Sequence, residues 1–323
     1  MEHAPAGGGL GLGHGDRAPI QGPAGRLRNA GGPPAPERRG HARRSLPEAG
    51  LVIPRLPRVL YAFLRRDALQ KFSYRTAFVL EVVSVLLSVA TFYYVAKLIG
   101  PAALPALSAY GGDYFAFVLL GIAFSSYQSV GMHSFSENLR EEQVTGTLES
   151  LLAAPVGLPA LLLGFAQWDI LYATSQTALY LLAGTAVFGA SFHAAGLPAA
   201  LLIFALTLTS CAGLGLFSAA FILMFKRGDP VAWLVAAASE LLGGVYFPVA
   251  ILPDWLRTLS LFIPMTHSLE GMRLALLKSA SVREVAPQAA ALALFTAVFL
   301  PLGAVFFRKA LARAKKDGSL GHY

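Results

Sequence analysis

Long apolar runs, separated by short polar breaks, fill the chain from residue 77 onward. A helix that crosses a bilayer needs about 20 predominantly apolar residues. Six runs reach that length, and they cover residues 77–99, 114–135, 158–188, 197–225, 231–252 and 286–307. The pattern therefore predicts an all-α integral membrane protein with six transmembrane helices.

The segment just before the first run, residues 56–75, mixes basic and apolar side chains. Its apolar members recur at spacings of three and four residues, as on one face of a helix. We expect this helix to lie along the inner membrane surface with its apolar face toward the lipid. An ordinary basic flank of the first span is the alternative. The apolar members are Val59, Leu60, Phe63 and Leu64, and the basic members are Arg58, Arg65, Arg66 and Lys71.

An acidic segment, residues 137–155, separates the second run from the third. Its apolar residues fall at helical spacing, opposite two of its glutamates, so it predicts an amphipathic helix parallel to the membrane. Such a helix would bury its leucines under the spans and expose its glutamates to the cytosol. The apolar residues are Val144, Leu148 and either Leu151 or Leu152, and the two glutamates are Glu142 and Glu149.

Glycine and proline are dense in residues 243–264, which begin in the last part of the fifth run and extend beyond it, although many of the other residues there are apolar. Glycine and proline at this density interrupt a helix. Interrupted backbone at membrane depth is tolerated only where protein covers it. We therefore predict a short re-entrant element that dips into the outer leaflet rather than a solvated loop.

Composition agrees with a membrane protein. Of 323 residues, 55% are hydrophobic and only 14% are charged, whereas soluble domains carry roughly a quarter charged residues. The lone cysteine, Cys211, excludes an intramolecular disulfide, and the seven histidines show no spacing typical of a metal site.

The net charge of +8 could indicate nucleic-acid binding, but the basic residues collect before the first run and after the last. Basic flanks mark the cytoplasmic ends of spans, so we expect a cell (inner) membrane protein with both termini in the cytoplasm. Lys226 and Arg227, between the fourth and fifth runs, agree with this orientation. In this orientation the 253–285 loop must lie outside the cell, and the basic residues of that loop argue against the orientation.

Three regions differ in composition. Residues 1–50 contain 12 Gly and 7 Pro and few aliphatic side chains, so we expect a disordered extension, with the ordered part beginning near Leu51. Residues 51–310 form the predicted transmembrane domain. Residues 311–323 are a short basic cytoplasmic tail.

Two carboxylates, Asp169 and Glu240, lie deep inside predicted spans, where a charge costs about 2.5–3.5 kcal/mol. Each could line a transport pathway or pair with a group on another helix, and both possibilities stay open. Glu81 lies nearer the end of the first span and could pair with Arg75. Hydrogen bonds between helices are expected from a polar row in the second span. That row consists of Ser125, Ser126, Gln128 and Ser129.

Two strings of residues stand in separate parts of the chain. The first string consists of Glu142, Gly146, Thr147, Leu148, Glu149 and Pro155. The second string consists of Gly243, Phe247, Pro248, Pro253, Pro264 and Arg273. Both strings resemble motifs of the permeases of the ABC-2 type transporter family. Gln143 and Val144 stand where that family usually has Arg and Glu, so the first string matches incompletely.

The resemblance implies a permease subunit that forms the path of an ATP-driven exporter as a dimer, with the first string contacting the ATPase. The second string would form an extracellular re-entrant cap over the exit. Two copies of a separate ABC ATPase would bind ATP and Mg²⁺, and no cofactor is expected on this chain. The sequence has no P-loop pattern, so we do not expect it to be an enzyme. Family substrates are drugs, lipids and lipid-linked polysaccharides, and we expect one of these amphipathic classes.

A proton- or ion-coupled secondary transporter that uses Asp169 and Glu240 is the alternative. Such carriers are often built from inverted repeats, each with its own broken helix, whereas this sequence shows one broken region. A membrane scaffold without transport is a third possibility, and the intramembrane carboxylates argue against it.

Overall fold

The structure is a computed structural model that describes residues 56–71, 75–100, 105–225 and 230–316, and its regular elements there are all helical. Three 3₁₀ helices cover Pro105–Tyr110, Ala194–Gly196 and Val249–Ile251. The α-helices are α1 (Leu56–Lys71), α2 (Arg75–Ile99), α3 (Tyr114–Val144), α4 (Leu148–Ala153), α5 (Leu158–Ala186), α6 (Leu197–Phe225), α7 (Pro230–Leu242), α8 (Asp254–Ser260), α9 (Pro264–Lys278) and α10 (Ala286–Lys316).

Four helices within these ranges are long and apolar enough to cross a membrane, which confirms the all-α membrane class. They are Phe78–Ile99, Tyr114–Val144, Ala194–Phe225 and Ala286–Lys316. Helix α5 is continuous over 29 residues, but polar side chains such as Asp169 interrupt its apolar sequence, and it is not among these four helices. Whether six segments cross the membrane stays a prediction. The predicted extension 1–50 and the end of the basic tail, 317–323, lie outside the described residues.

The fifth predicted span, 231–252, is not one continuous helix. Helix α7 has only 13 residues and ends at Leu242. Two glycines follow it, and Gly244 has φ +80°, a left-handed conformation that a side chain disfavours. The sequence remains apolar beyond Leu242, which is why the predicted span is too long, but the helix ends at Leu242 and the backbone changes direction.

The acidic segment also differs from the single amphipathic helix predicted for it. Helix α3 continues to Val144, a turn follows at Thr145–Thr147, and α4 begins at Leu148. The turn contains Gly146 at φ +72°, which breaks the helical register between Val144 and Leu148. Consequently Val144 is 64% exposed and Glu142 is buried, the reverse of the prediction, although Leu148 is buried as expected.

Helix α3 is the most enclosed of the four long apolar helices and packs against α5, α6 and α9. Asp113 caps its first turn, because the Asp113 carboxylate accepts hydrogen bonds from the backbone N–H groups of Phe115 (2.9 Å) and Ala116 (3.3 Å). Helices α2 and α10 are mostly uncovered and expose apolar side chains. This arrangement places α3 at the centre of the described helices.

Small residues allow the helices around α3 to approach closely. A Cβ on Gly131 of α3 would lie 2.5 Å from the Cβ of Cys211 on α6. A Cβ on Gly303 of α10 would lie 2.3 Å from the backbone oxygen of Gly213 on α6. Helix α1 likewise lies on α5, where a Cβ on Gly164 would lie 2.7 Å from the ring of Phe63.

Candidate functional site

Two polar cavities lie along α3, and both are also bounded by α5. The first, which we name the middle cavity, has a volume of about 200 Å³ and lies between α3, α5 and α7. The second, which we name the end cavity, has a volume of about 250 Å³ and lies between α1, α5 and the last turns of α3. Each contains one of the carboxylates that the sequence placed inside the spans.

An ion pair joins α1 to the end of α3 in the end cavity. The Nη1 atom of Arg66 lies 2.5 Å from Oε1 of Glu142, and its Nε atom lies 2.8 Å from Oδ1 of Asp67. Burial lowers the pKa of Arg66, but the hydrogen bonds and charges of Asp67 and Glu142 outweigh it and leave that pKa raised. Arg66 therefore stays charged.

The same Glu142 carboxylate holds the turn between α3 and α4. The hydroxyl of Thr147 donates a hydrogen bond to Glu142 Oε2, and the backbone N–H of Thr147 donates to the Glu142 carbonyl oxygen at 3.0 Å. Glu142 thus connects three parts of the chain: α1 through Arg66, α3 through its own backbone, and the turn through Thr147.

The turn itself faces outward. A Cβ on Gly146 would meet no atom within 4 Å, and Glu149 in the first turn of α4 is exposed. Leu148 is buried in an apolar core with Leu139 of α3 and Phe165 of α5, which anchors the turn from below. Pro155 is exposed just beyond the end of α4. The first string therefore forms a turn whose base is buried at Leu148 and whose tip, at Gly146 and Glu149, is exposed.

Asp169 lines the end cavity and connects α5 to α3. Its Oδ2 atom accepts hydrogen bonds from the Ser134 hydroxyl (2.5 Å) and from Nδ2 of Asn138 (3.0 Å). It does not lie with Glu240, which lines the middle cavity. The two candidate pathway residues are therefore in separate sites.

Glu240 lies at the exposed edge of the middle cavity, near Tyr246. Within the described part of the chain, its carboxylate has neither a hydrogen bond nor an ion pair. Glu81, on α2, accepts a hydrogen bond from Nε2 of Gln176 at 2.5 Å. The side chain of Arg75, its predicted partner, lies outside the described residues.

The polar row of α3 forms part of the wall of the middle cavity. Gln128 donates a hydrogen bond to Ser239 of α7, and the Ser126 hydroxyl lies 3.5 Å from that of Thr177 on α5. These contacts confirm hydrogen bonding between helices for two of the four residues. The other two, Ser125 and Ser129, bond within α3.

The second string forms a chain of turns and short helices after α7. Gly243 ends α7, Phe247 is half-buried, and each proline starts an element. Pro248 precedes the 3₁₀ helix Val249–Ile251, Pro253 precedes α8, and Pro264 is the first residue of α9.

Arg273 of α9 holds this region against α3. It is buried, its Nη2 atom donates to the backbone oxygens of Phe117 (3.2 Å) and Val245 (3.1 Å), and its guanidinium lies 3.4 Å from the centre of the Phe117 ring. Nearby, the Tyr110 hydroxyl donates to Glu270, and burial and the Glu270 charge raise the pKa of Tyr110. Insertion of this region into a membrane stays a prediction.

The sequence profile of the ABC-2 type transporter family matches residues 58–277. The chain belongs to this family. The match runs from α1 to the end of α9 and so contains both cavities, the α3–α4 turn and the chain of turns held by Arg273. A comparison with curated proteins finds no match.

This ABC-2 transporter protein is therefore a multi-pass membrane protein and the permease component of an ABC-2 system. Proteins of this family are transmembrane subunits that are generally not catalytic themselves and that work with an ABC ATPase. The resemblance inferred from the two strings is confirmed at the level of the family.

Sequence reasoning missed several residues of the two cavities. It placed Arg66 in a basic stripe without its partner, and it did not single out Ser134, Asn138 or Gln176. The available signal was weak. Ser134 and Gln176 lie one or two turns from the acidic segment or from Asp169, Asn138 lies inside that segment, and Arg66 is far from both in the sequence. Helix pairing, which brings them together, depends on contacts between distant parts of the chain.

Proposed function

We propose that this chain forms the path of an ATP-driven exporter as a homodimer, and that two copies of a separate ATPase, loaded with ATP and Mg²⁺, drive it through the α3–α4 turn. One observation supports this most: α3 is a continuous helix that carries the exposed turn at one end and a wall of the middle cavity along its length. Force applied to the turn would therefore reach the cavity through one rigid element.

The contacts around the turn suit it for coupling. Leu148 is anchored in the core and Glu142 is fixed by Arg66 and Thr147, while Gly146 and Glu149 stay exposed. An ATPase bound to the exposed tip would move α3 and α1 together, because the Arg66–Glu142 ion pair joins the two helices.

The depth of the middle cavity fits a transport path. With a rise of 1.5 Å per residue, Ser125 lies about 17 Å along α3 and Glu240 about 15 Å along α7, near the middle of a bilayer about 30 Å thick. We propose six spans with both termini in the cytoplasm of the cell (inner) membrane. Helix α5 is one of the two remaining spans. Helix α7, with 13 residues, crosses only part of the bilayer, and the 243–273 region completes this crossing as the extracellular re-entrant cap.

A second copy of the chain would complete the path. The middle cavity, at about 200 Å³, is smaller than the 300–1,000 Å³ typical of ligand sites, and Ser129 and Glu240 are exposed at its edge. Two such cavities facing each other would hold an amphipathic drug, a lipid or part of a lipid-linked glycan.

Co-purification from native membranes in mild detergent tests the coupling. We expect a P-loop ATPase in stoichiometric amount with the wild-type chain, and its loss with Glu142→Lys, because a lysine there would repel Arg66 and displace the turn. Asp254→Lys, which makes the same change of charge at an exposed position of α8, outside the acidic segment and both cavities, is the control. Retention of the ATPase by Glu142→Lys would contradict the proposal.

A proton- or ion-coupled carrier is the second candidate, and the unpaired Glu240 carboxylate in a cavity at membrane depth favours it. Asp169, bonded to Ser134 and Asn138 in the other cavity, does not continue a relay from it. If this candidate were right, the chain would purify without an ATPase, and Glu240→Gln would abolish transport driven by a proton or ion gradient.

A further inference from the structure

We propose that the middle cavity binds an organic cation, a molecule with a positively charged nitrogen on a small apolar body. This inference names the substrate class of the proposed permease and rests on that function. Three observations carry it: the charge of the wall, the hydrogen bonds that the wall already makes, and the position of Glu240 on its helix.

The wall of the middle cavity is negative. Among the described residues that line the cavity, Glu240 is the one carboxylate, and there is neither a lysine nor an arginine. A second carboxylate, Glu81, stands behind the wall and is held by Gln176, which lines the cavity. An anion would face both charges without a compensating cation.

The hydrogen-bond donors of the wall are largely engaged within the protein. A carboxylate only accepts, so Gln176 must turn its N–H₂ group to Glu81, and Gln128 donates its N–H₂ group to Ser239. The hydroxyls of Ser125 and Ser126 donate to the backbone oxygens of Ile122 (2.7 Å) and Ala123 (2.8 Å) in their own helix.

What the wall keeps for a ligand is therefore mostly acceptors. The side-chain carbonyl oxygens of Gln128 and Gln176 and the lone pairs of the serine hydroxyls add to the Glu240 carboxylate. Tyr180 adds an aromatic face, which attracts a cation, as well as a hydroxyl that can accept or donate. A wall of acceptors selects a ligand that donates hydrogen bonds or carries positive charge.

Glu240 occupies an unfavourable position for a carboxylate without a partner. It lies in the last turn of α7, which ends at Leu242, and the C-terminal end of a helix carries partial negative charge. At membrane depth a charged side chain is costly unless it is paired. A bound cation would supply the missing partner.

The remaining lining limits the size of the ligand. Ile122, Met132, Ala236 and Val245 give the cavity an apolar side. With a volume of about 200 Å³ it suits a single ring or a short branched body beside the charged nitrogen. The charged end would lie against Glu240 and the apolar body against these residues.

Equilibrium dialysis of the full chain in lipid nanodiscs tests the proposal with two probes of opposite charge, phenyltrimethylammonium and benzenesulfonate. We expect saturable binding of the cation above that of empty nanodiscs and none of the anion. Glu240→Gln should weaken cation binding about tenfold or more, because the charged partner is lost. Asp254→Asn, which removes an exposed carboxylate at the start of α8, should leave the binding unchanged.

A second variant adds charge instead of removing it. Ser129→Lys places an ammonium at the exposed edge of the cavity, where it should neutralise Glu240 and abolish binding of phenyltrimethylammonium. Size-exclusion profiles and helical circular dichroism show whether each variant is folded. Equal cation affinity in wild type and Glu240→Gln, a preference for benzenesulfonate, or no saturable cation binding to the folded wild type would each overturn the inference.

Failure of this inference can be told apart from failure of the permease function. Dialysis needs no ATPase, whereas the permease function is tested by co-purification. An ATPase that co-purifies with a chain that does not bind the cation overturns the substrate class alone. A chain that binds the cation and purifies without an ATPase overturns the ATP-driven function alone.

Discussion

At the scale of single residues, Glu142 has the most consequential environment in the end cavity. Its side chain is about 10% exposed and that of Arg66 is 40% exposed, so the pair is partly screened by solvent. Removing one partner of a fully buried pair costs about 3–5 kcal/mol, and partial exposure reduces this. Asp67 also neutralises Arg66, which reduces the cost further.

We expect Glu142→Gln to lower the free energy of unfolding by about 1–2 kcal/mol, since Arg66 then loses one of its two carboxylates. The exchange Arg66→Glu with Glu142→Arg should lower the free energy of unfolding by less than the sum of its two single changes, because it restores an opposite-charge pair. Thermal unfolding in one detergent measures both, with the exposed Glu149→Gln as the control. Additive effects of the two single changes in the double variant would show that the residues do not interact.

At the scale of elements, the helices around α3 depend on close approach. Helices α6 and α10 meet at glycines, where the backbone of one helix contacts that of the other. A lipid environment provides little hydrophobic drive between helices, so tight packing of small residues carries much of their association. These glycines therefore determine how closely α6 and α10 can pack.

Gly213→Ala should destabilise the protein by about 1–3 kcal/mol. The new Cβ would lie 2.5 Å from the backbone of Phe299, so α6 and α10 would have to move apart to make room for it. The melting temperature in detergent measures the effect. Gly157→Ala makes a matched control, since the nearest atom to its Cβ is 3.8 Å away. If both variants melted at the same temperature, the proposed close contact between α6 and α10 would be contradicted.

At the scale of the whole molecule, the question is whether the exposed turn and the middle cavity act together. Both belong to α3, and about 13 residues, or roughly 20 Å of helix, separate Ser129 from Glu142. A change confined to the tip of the turn should then affect driven transport without changing the cavity itself.

Comparing Gly146→Ala with Gly146→Trp isolates this coupling. Both place a side chain at φ +72°, at a cost of about 1–2 kcal/mol, and neither meets an atom within 4 Å at its Cβ. Only tryptophan adds bulk where the ATPase would bind. We expect Gly146→Trp to lose ATP-driven transport in proteoliposomes while Gly146→Ala keeps most of it, with cation binding unchanged in both. Equal transport by the two variants would contradict coupling through the turn.

The helices were predictable from the sequence wherever the signal is local. Apolar runs marked α2, α3, α6 and α10, and the alternation of basic and apolar residues marked α1. Errors arose where a single glycine decides the backbone: Gly146 divides the acidic segment, and Gly243 and Gly244 end α7 early. Composition averaged over a window does not register one residue with positive φ.

The sequence by itself determined the membrane class, the positions of the long helices and the family, because hydrophobicity and the two strings are properties of consecutive residues. Tertiary structure alone decided that Arg66 meets Glu142, 76 positions away, and that Asp169 and Glu240 belong to different cavities. It also decided which donors on the cavity wall are already engaged. Those outcomes depend on how helices pair, and glycines such as Gly131, Gly164 and Gly213 take part in that pairing because they let two helices approach closely.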